Sequence, residues 1–278
     1  MAFKTLFTAM TSFEPDAPAL THAAALAKDL DAHLDVMCLG LDRSRSNYYE
    51  VGANAFLVQS ALKEAHEKAE TVRHDVDARL AQAAVRWSSV SVVAGPADAT
   101  RPMAQAARFA DLCVSSTPYR ADSTPDDVLL LETMLFDAAC PTLVVPTATH
   151  VTAPNRIVIA WNESAEALRA VRAALPFLQA AKDVHIAIID PPTHAADRSD
   201  PGGALAVMLA RHGVICSIQI MSRNGGKVST RLQRHVTEVG GQMLVMGGYG
   251  HSRFREAVLG GATRDMLENA QVPVLMAH

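Results

Sequence analysis

Two stretches of this chain repeat each other in one ungapped register. Met134, Leu135, Ala138, Pro141 and Leu143 recur 132 positions later as Met266, Leu267, Ala270, Pro273 and Leu275, and the same shift sets Leu112 on Leu244. A lone match between alanines or leucines means little. Five matches across one predicted helix and the strand after it mean a duplicated unit. Duplication is a strong constraint, because whatever one half forms, the other must form again. The opening strands align at a larger shift, Lys4 on Arg156, so the first copy carries about 20 extra residues around Arg43–Asn54 and in the helix that follows.

Within each half, short apolar or β-branched runs alternate with longer segments of helical period, the pattern of βαβ units around a parallel sheet. The first half predicts strands at Lys4–Met10, Leu34–Leu41, Ser88–Val93, Asp111–Ser115 and Thr142–Val145, separated by helices at Ala17–His33, 55–84, 99–110 and 126–139. In the second helix Val58, Leu62, Ala65, Ala69, Val72, Val76 and Leu80 recur at steps of four and three, which predicts one core-facing stripe. Periodicity lapses at 148–154 and ends in Pro154, as in a linker. The second half predicts strands at Arg156–Trp161, Val184–Ile189, Val214–Met221, Met243–Met246 and Val272–Met276, with helices at Ala165–Gln179, 203–212, 229–239 and 262–269. Two α/β domains follow, 1–148 and 155–278. A chain of 278 residues that is 49% hydrophobic has enough apolar matter for two cores.

Composition then removes whole classes of function. With 25 basic and 29 acidic residues spread along the chain, no field of one sign is available to draw a polyanion, and only 5% of residues are aromatic, so nucleic acid is not an expected partner. No apolar run is long enough to span a bilayer, and Met-Ala-Phe-Lys-Thr-Leu-Phe lacks the features of a signal peptide, so the expected location is the cytoplasm. Cys38, Cys113, Cys140 and Cys216 are widely spaced and form no CxxC pair, which predicts reduced core residues. The histidines show no HExxH and no metal-ligand spacing. Gly225-Gly226-Lys227 follows a strand and precedes a helix but lacks the spacing of a P-loop. It reads as a turn that could bring Lys227 over a ligand's edge.

The segment with chemistry in it follows the fourth strand of the second copy. Gly247-Gly248-Tyr249-Gly250-His251 is followed, with nine residues between Gly250 and Gly260, by Gly260-Gly261-Ala262-Thr263 and the last helix. Glycines let the backbone approach closely, so clustered N–H groups can face one anion, and a helix beginning near Ala262 adds its own free N–H groups and positive dipole end. His251 adjoins this loop, where an imidazolium could meet a phosphate. The first copy has Ser115-Ser116-Thr117-Pro118 at the matching place and no glycine after Gly95, so its loop cannot form the same nest. Its three hydroxyls could hold a different polar ligand.

The pattern Gly-x-x-Gly-x9-Gly, then a helix and a Pro-Val-Leu strand, closely resembles the nucleotide-binding half of universal stress proteins, and the whole chain resembles a tandem two-domain member of that family. The resemblance implies two open five-stranded parallel sheets of order 3-2-1-4-5 with helices on both faces, a Rossmann-like α/β class. It implies ATP or a related nucleotide in the second domain only, with or without magnesium. Carried over, Gly247, Tyr249 and Gly250 line the ribose and phosphate side, Gly260, Gly261 and Thr263 meet the phosphates, and Met246 and Ile188 flank the adenine. Asn162 stands where the family usually places an aspartate, and Gly261 where it usually places a serine, so a charge and a hydroxyl are missing. Members usually pair domains through their last strands, which marks Thr142–Val145 and Val272–Met276 as contact edges within one chain or in a homodimer. The expected function is a non-enzymatic stress-response protein that binds nucleotide. A slow nucleotide hydrolase and a ligand-free scaffold are the alternatives, and no residue stands out as catalytic.

Overall fold

Parallel strands covered by helices on both faces must be apolar almost throughout, and the inner strands of this chain obey that rule, whereas the edge strands Arg86–Ala94 and Cys216–Met221 carry polar and exposed residues. The computed structural model describes residues 3–43, 55–96, 98–147, 153–191, 200–248 and 261–278. It divides into two compact units, one through Cys140 and the other from Pro141 to His278.

The first unit runs β1 (Thr5–Met10), α1 (Phe13–Asp29), β2 (His33–Leu41), α2 (Ala55–Leu80), β3 (Arg86–Ala94), α3 (Thr100–Ala107), β4 (Leu112–Ser116) and α4 (Pro125–Glu132), the last continued by a wider helical turn over Thr133–Asp137. Its strands are parallel in the order β3-β2-β1-β4. The α2 stripe is buried from Ala65 to Leu80, but Val58 and Leu62 remain 41% and 49% exposed. The predicted seam is therefore too long, for a geometric reason. A helix of 26 residues extends about 39 Å, whereas the nine-residue strands beneath it extend about 30 Å, so its first turns overhang the sheet. Contact is close where the two do meet. A Cβ on Gly40 of β2 would lie 1.9 Å from the carbonyl oxygen of Ala65.

The second unit runs β5 (Thr142–Val145), β6 (Arg156–Ala160), α5 (Ala165–Ala173), α6 (Leu175–Ala180), β7 (Asp183–Ile189), α7 (Gly203–Arg211), β8 (Cys216–Met221), α8 (Val228–Val239), β9 (Met243–Gly247), α9 (Ala262–Asn269) and β10 (Val274–Ala277). The strand order is β5-β10-β9-β6-β7-β8. The five strands of the second repeat thus take the expected 3-2-1-4-5 order. The first repeat keeps 3-2-1-4 in its own unit, while its fifth strand, β5, pairs antiparallel with β10, Leu143 opposite Leu275. The helix predicted over Ala165–Gln179 is two helices. Pro176 has no N–H to continue the ladder, so α5 ends and α6 restarts with that proline in its first turn.

Cys38, Cys113 and Cys140 are buried and Cys216 half-buried, and none forms a disulfide. Burial pushes the Cys38 thiol up to about 12 and raises those of Cys113 and Cys216, so these three carry no appreciable thiolate at neutral pH. No helix among the described residues is long and apolar enough to cross a membrane.

Candidate functional site

In the second unit the strand order reverses between β6 and β9, and in open α/β sheets a crevice opens there beyond the carboxyl ends of the strands. Ala160, the last residue of β6, pairs with Ala187 on one side and Met246 on the other. Ile188 and Met246 consequently lie at the strand ends on either side of β6, both buried. The β6–α5 turn carries Asn162, which is exposed and whose Oδ1 accepts the Ser164 N–H at 3.2 Å. Glu163 follows with φ of +62°, an unusual value for a residue with a side chain, and Ser164 caps α5 by accepting the Ala167 N–H at 3.1 Å. Beside them Trp161 donates its indole N–H to the Pro201 carbonyl at 3.2 Å, a contact no sequence periodicity announces.

Gly247 ends β9 on a different demand from the one its loop suggests. A Cβ there would lie 2.6 Å from the Ala167 nitrogen and 2.9 Å from the Glu166 carbonyl carbon, so glycine is needed for β9 to pass the first turn of α5. Gly248 then donates its N–H to the Ala277 carbonyl at 2.9 Å. Tyr249, Gly250, His251 and Gly260 lie outside the described residues. On the far side of that loop Gly261 is the N-cap of α9, with φ −64° and ψ 151° and no side chain to accept a first-turn N–H. Thr263, in that first turn, is buried and already engaged within the fold. The β8–α8 turn delivers Lys227 to the same helix, where its ammonium lies 3.0 Å from the Asp265 carboxylate. The sequence suggested this lysine for a ligand's edge; here it neutralises an acid in the first turn of α9.

The first unit fills the equivalent place with side chains. Arg120, beyond β4, is only 9% exposed and sits among Asp16 (3.5 Å), Asp122 (3.3 Å) and Asp127 (3.4 Å), while its Nη1 also donates to the Thr117 carbonyl at 3.1 Å. Asp16 in turn accepts the Thr11 N–H at 3.2 Å, and Asp127 closes a capping box with Thr124 at the start of α4. Arg43 pairs with Asp126. What remains is a cavity of about 230 Å³ lined by Thr11, Ser12, Lys68 and members of this network. Burial raises the Asp16 carboxyl above its ordinary value, and the Arg120 charge opposes that rise without cancelling it. Two of the three hydroxyls expected to suit a polar ligand are engaged with nearby carbonyls. Ser115 Oγ donates to the Ser116 carbonyl at 3.1 Å, and Ser116 Oγ faces the Pro15 carbonyl at 3.5 Å.

With this geometry in view, the likeness to known proteins falls into place. Residues 154–278 match the Universal stress protein family, so the second repeat is a universal stress protein domain of α/β class. Over almost the whole chain the fold is similar to that of a universal stress protein from Archaeoglobus fulgidus, at TM-score 0.74 and 17% identity, covering 98% of this chain and 95% of the other. It is also similar to a structure assigned to the same family from Pseudomonas aeruginosa, at TM-score 0.60 and 18% identity, covering 99% and 92%. Comparison with curated protein sequences gives no significant match. The second half of the chain, residues 154–278, thus belongs to the universal stress protein family, and the tandem arrangement of the whole chain fits the fold of these two structures.

Proposed function

We propose that the second unit binds ATP or a related adenine nucleotide and that the chain acts in a stress response by carrying that ligand. The observation behind this reading is the start of α9, a helix whose N-cap is glycine and offers no side-chain acceptor, directly after the glycine-rich segment that follows β9. Its first-turn N–H groups suit a phosphate. Ile188 and Met246 supply apolar strand ends suited to a base, and the exposed Asn162 supplies an amide suited to a sugar or phosphate oxygen. These residues fit the parts of an adenine nucleotide, and membership of residues 154–278 in the family supports the same ligand class. Asn162 brings no charge to deprotonate a water, which favours carriage over hydrolysis. The pairing of β5 with β10 favours scaffolding as a second role, because it already joins the last strand of each repeat.

The test is to denature freshly purified protein, identify any released nucleotide, and repeat with Gly250→Val and Gly260→Val. Retained adenine nucleotide that both variants lose is the expected result. Empty protein that also shows no thermal shift in millimolar ATP would overturn the reading, since ligand at 100 times its Kd stabilises by about 2.7 kcal/mol.

A further inference from the structure

Helix α8 presses Ser229, Leu232, His235 and Val236 into the second unit. His235 is the anomaly in that face. It is 5% exposed, and its Nε2 has no hydrogen-bond partner among the described residues. Its ring stands edge-on to His185 of β7, with centroids 6.2 Å apart and planes at 80°. His185 is fully engaged, with Nε2 3.1 Å from Asp183 Oδ2 and Nδ1 3.1 Å from Ser217 Oγ. Asp183 is also held by Arg156 Nε at 2.8 Å, and Nη1 of the same arginine donates to the carbonyl of Val239, the last residue of α8. A single polar chain therefore links β8, β7, β6 and the end of α8, and one buried imidazole edge is left outside it.

We infer that His235 is a proton-operated latch on α8: protonation in mildly acidic solution frees this helix from the sheet while the rest of the fold stays closed. The physical reason is that Nε2 has no hydrogen-bond partner among the described residues. Neutral imidazole fits the contact, whereas imidazolium would carry an unpaired donor and a charge into it. The groups around it oppose the charge more than they help. His185 from β7 and Arg231 from α8 repel it, Glu238 of α8 attracts it, Asp183 is already committed to His185 and Arg156, and Asp265 of α9 to Lys227. Burial and the His185 and Arg231 charges accordingly hold the His235 pKa below its ordinary 6.5. A histidine with a lowered folded pKa contributes stability that is intact above about 6.5 and is lost as pH falls from there toward the folded value.

Release would travel to α9. Lys227 binds Asp265, and Gln233 Nε2 donates to the Met266 carbonyl at 3.4 Å, so α8 holds the helix whose start we assign to phosphate. Only this last consequence rests on the nucleotide reading.

The experiment uses nucleotide-free full-length protein, so its outcome is independent of ligand binding. Hydrogen exchange is followed at pH 7.5 and 5.5 and expressed as protection factors, which remove the intrinsic pH dependence. At pH 5.5, α8 amides are expected to lose several-fold in protection, up to the roughly elevenfold that protonation of one histidine with an open-state pKa of about 6.5 allows, while α5, which carries no histidine, keeps its own. His235→Leu should hold α8 protection level across the two pH values. Unchanged α8 protection in the wild type, or the same loss in His235→Leu, would overturn the inference. Should the variant fold poorly, the imidazole titration of wild-type His235 decides alone: a midpoint below 6.5 that coincides with α8 exchange supports the latch, and one at or above 6.5 sinks it.

Discussion

The two units place the same kind of crevice beyond the same strands and treat it in opposite ways. In the first unit, Arg120 supplies the positive charge at the strand ends, and Asp16, Asp122 and Asp127 surround it. In the second, no comparable arginine appears among the described residues, and the positive character comes from the start of α9 behind a glycine cap. A side-chain guanidinium brings its own partners and closes the place around itself. A helix start holds backbone N–H groups in fixed directions, an arrangement that suits an anion. Duplication supplied one scaffold, and the first copy fills with side chains the place where the second copy presents a helix start.

The sharpest way to break this contrast is to remove the filling. Arg120→Leu leaves Asp16 and Asp127 buried without their cation, and breaking such a pair costs about 3–5 kcal/mol. Chemical denaturation should show that loss in the first unit. The loss should also depend on pH in a set direction. The raised Asp16 pKa means the folded state prefers the protonated acid, so this group contributes stability below its ordinary 3.8 that disappears as pH rises through the folded value. Without Arg120 that pKa rises further, and the defect at pH 7 should exceed the defect at pH 4. Equal defects at both would mean that lost packing, not lost charge, sets the cost.

A smaller effect separates two glycines that look alike in sequence. Gly247→Ala drives a methyl against the backbone of Ala167 and Glu166, which cannot yield as a side-chain tip could, and overpacking of this kind costs about 1–3 kcal/mol. Gly248→Ala meets nothing nearer than 3.7 Å and should be close to neutral. Equal melting temperatures for the two variants would count against the packing role given to Gly247.

These cases also show how far the sequence could be read. The family likeness marked Thr142–Val145 and Val272–Met276 as contact edges, and the structure pairs β5 with β10, setting the repeat-equivalent residues Leu143 and Leu275 opposite each other. Strand order in the second unit followed from family likeness, and the alternation of apolar runs set most elements within a few residues. Arg120 was passed over because nothing in a loop's local sequence says that its arginine will fold back onto an aspartate of α1. Gly247 was legible as a required glycine but not for which reason, since close packing and an anion nest ask for the same residue. Val58 and Leu62 kept perfect helical spacing yet lie past the end of the sheet, because periodicity reports a face and not what is beneath it.

The smallest effect bears most directly on the start of α9. Gly261 has φ of −64° and an extended ψ, a conformation any residue adopts, so its backbone does not require glycine. Ser164 shows in the same unit what a serine does at an N-cap, holding the Ala167 N–H at 3.1 Å. Gly261→Ser should therefore stabilise the protein by roughly a few tenths of a kcal/mol, the usual difference between serine and glycine caps. Its effect on nucleotide then discriminates between two uses of the helix start. If the hydroxyl turns inward to cap α9, it takes up an N–H that a phosphate would use, and retention of nucleotide should fall. If it turns toward the ligand, as the serine usual in the family would, retention should rise while the melting temperature without ligand stays put. Measuring unliganded melting and nucleotide retention on the same preparation separates these outcomes, and no change in either would remove the start of α9 from the proposed site.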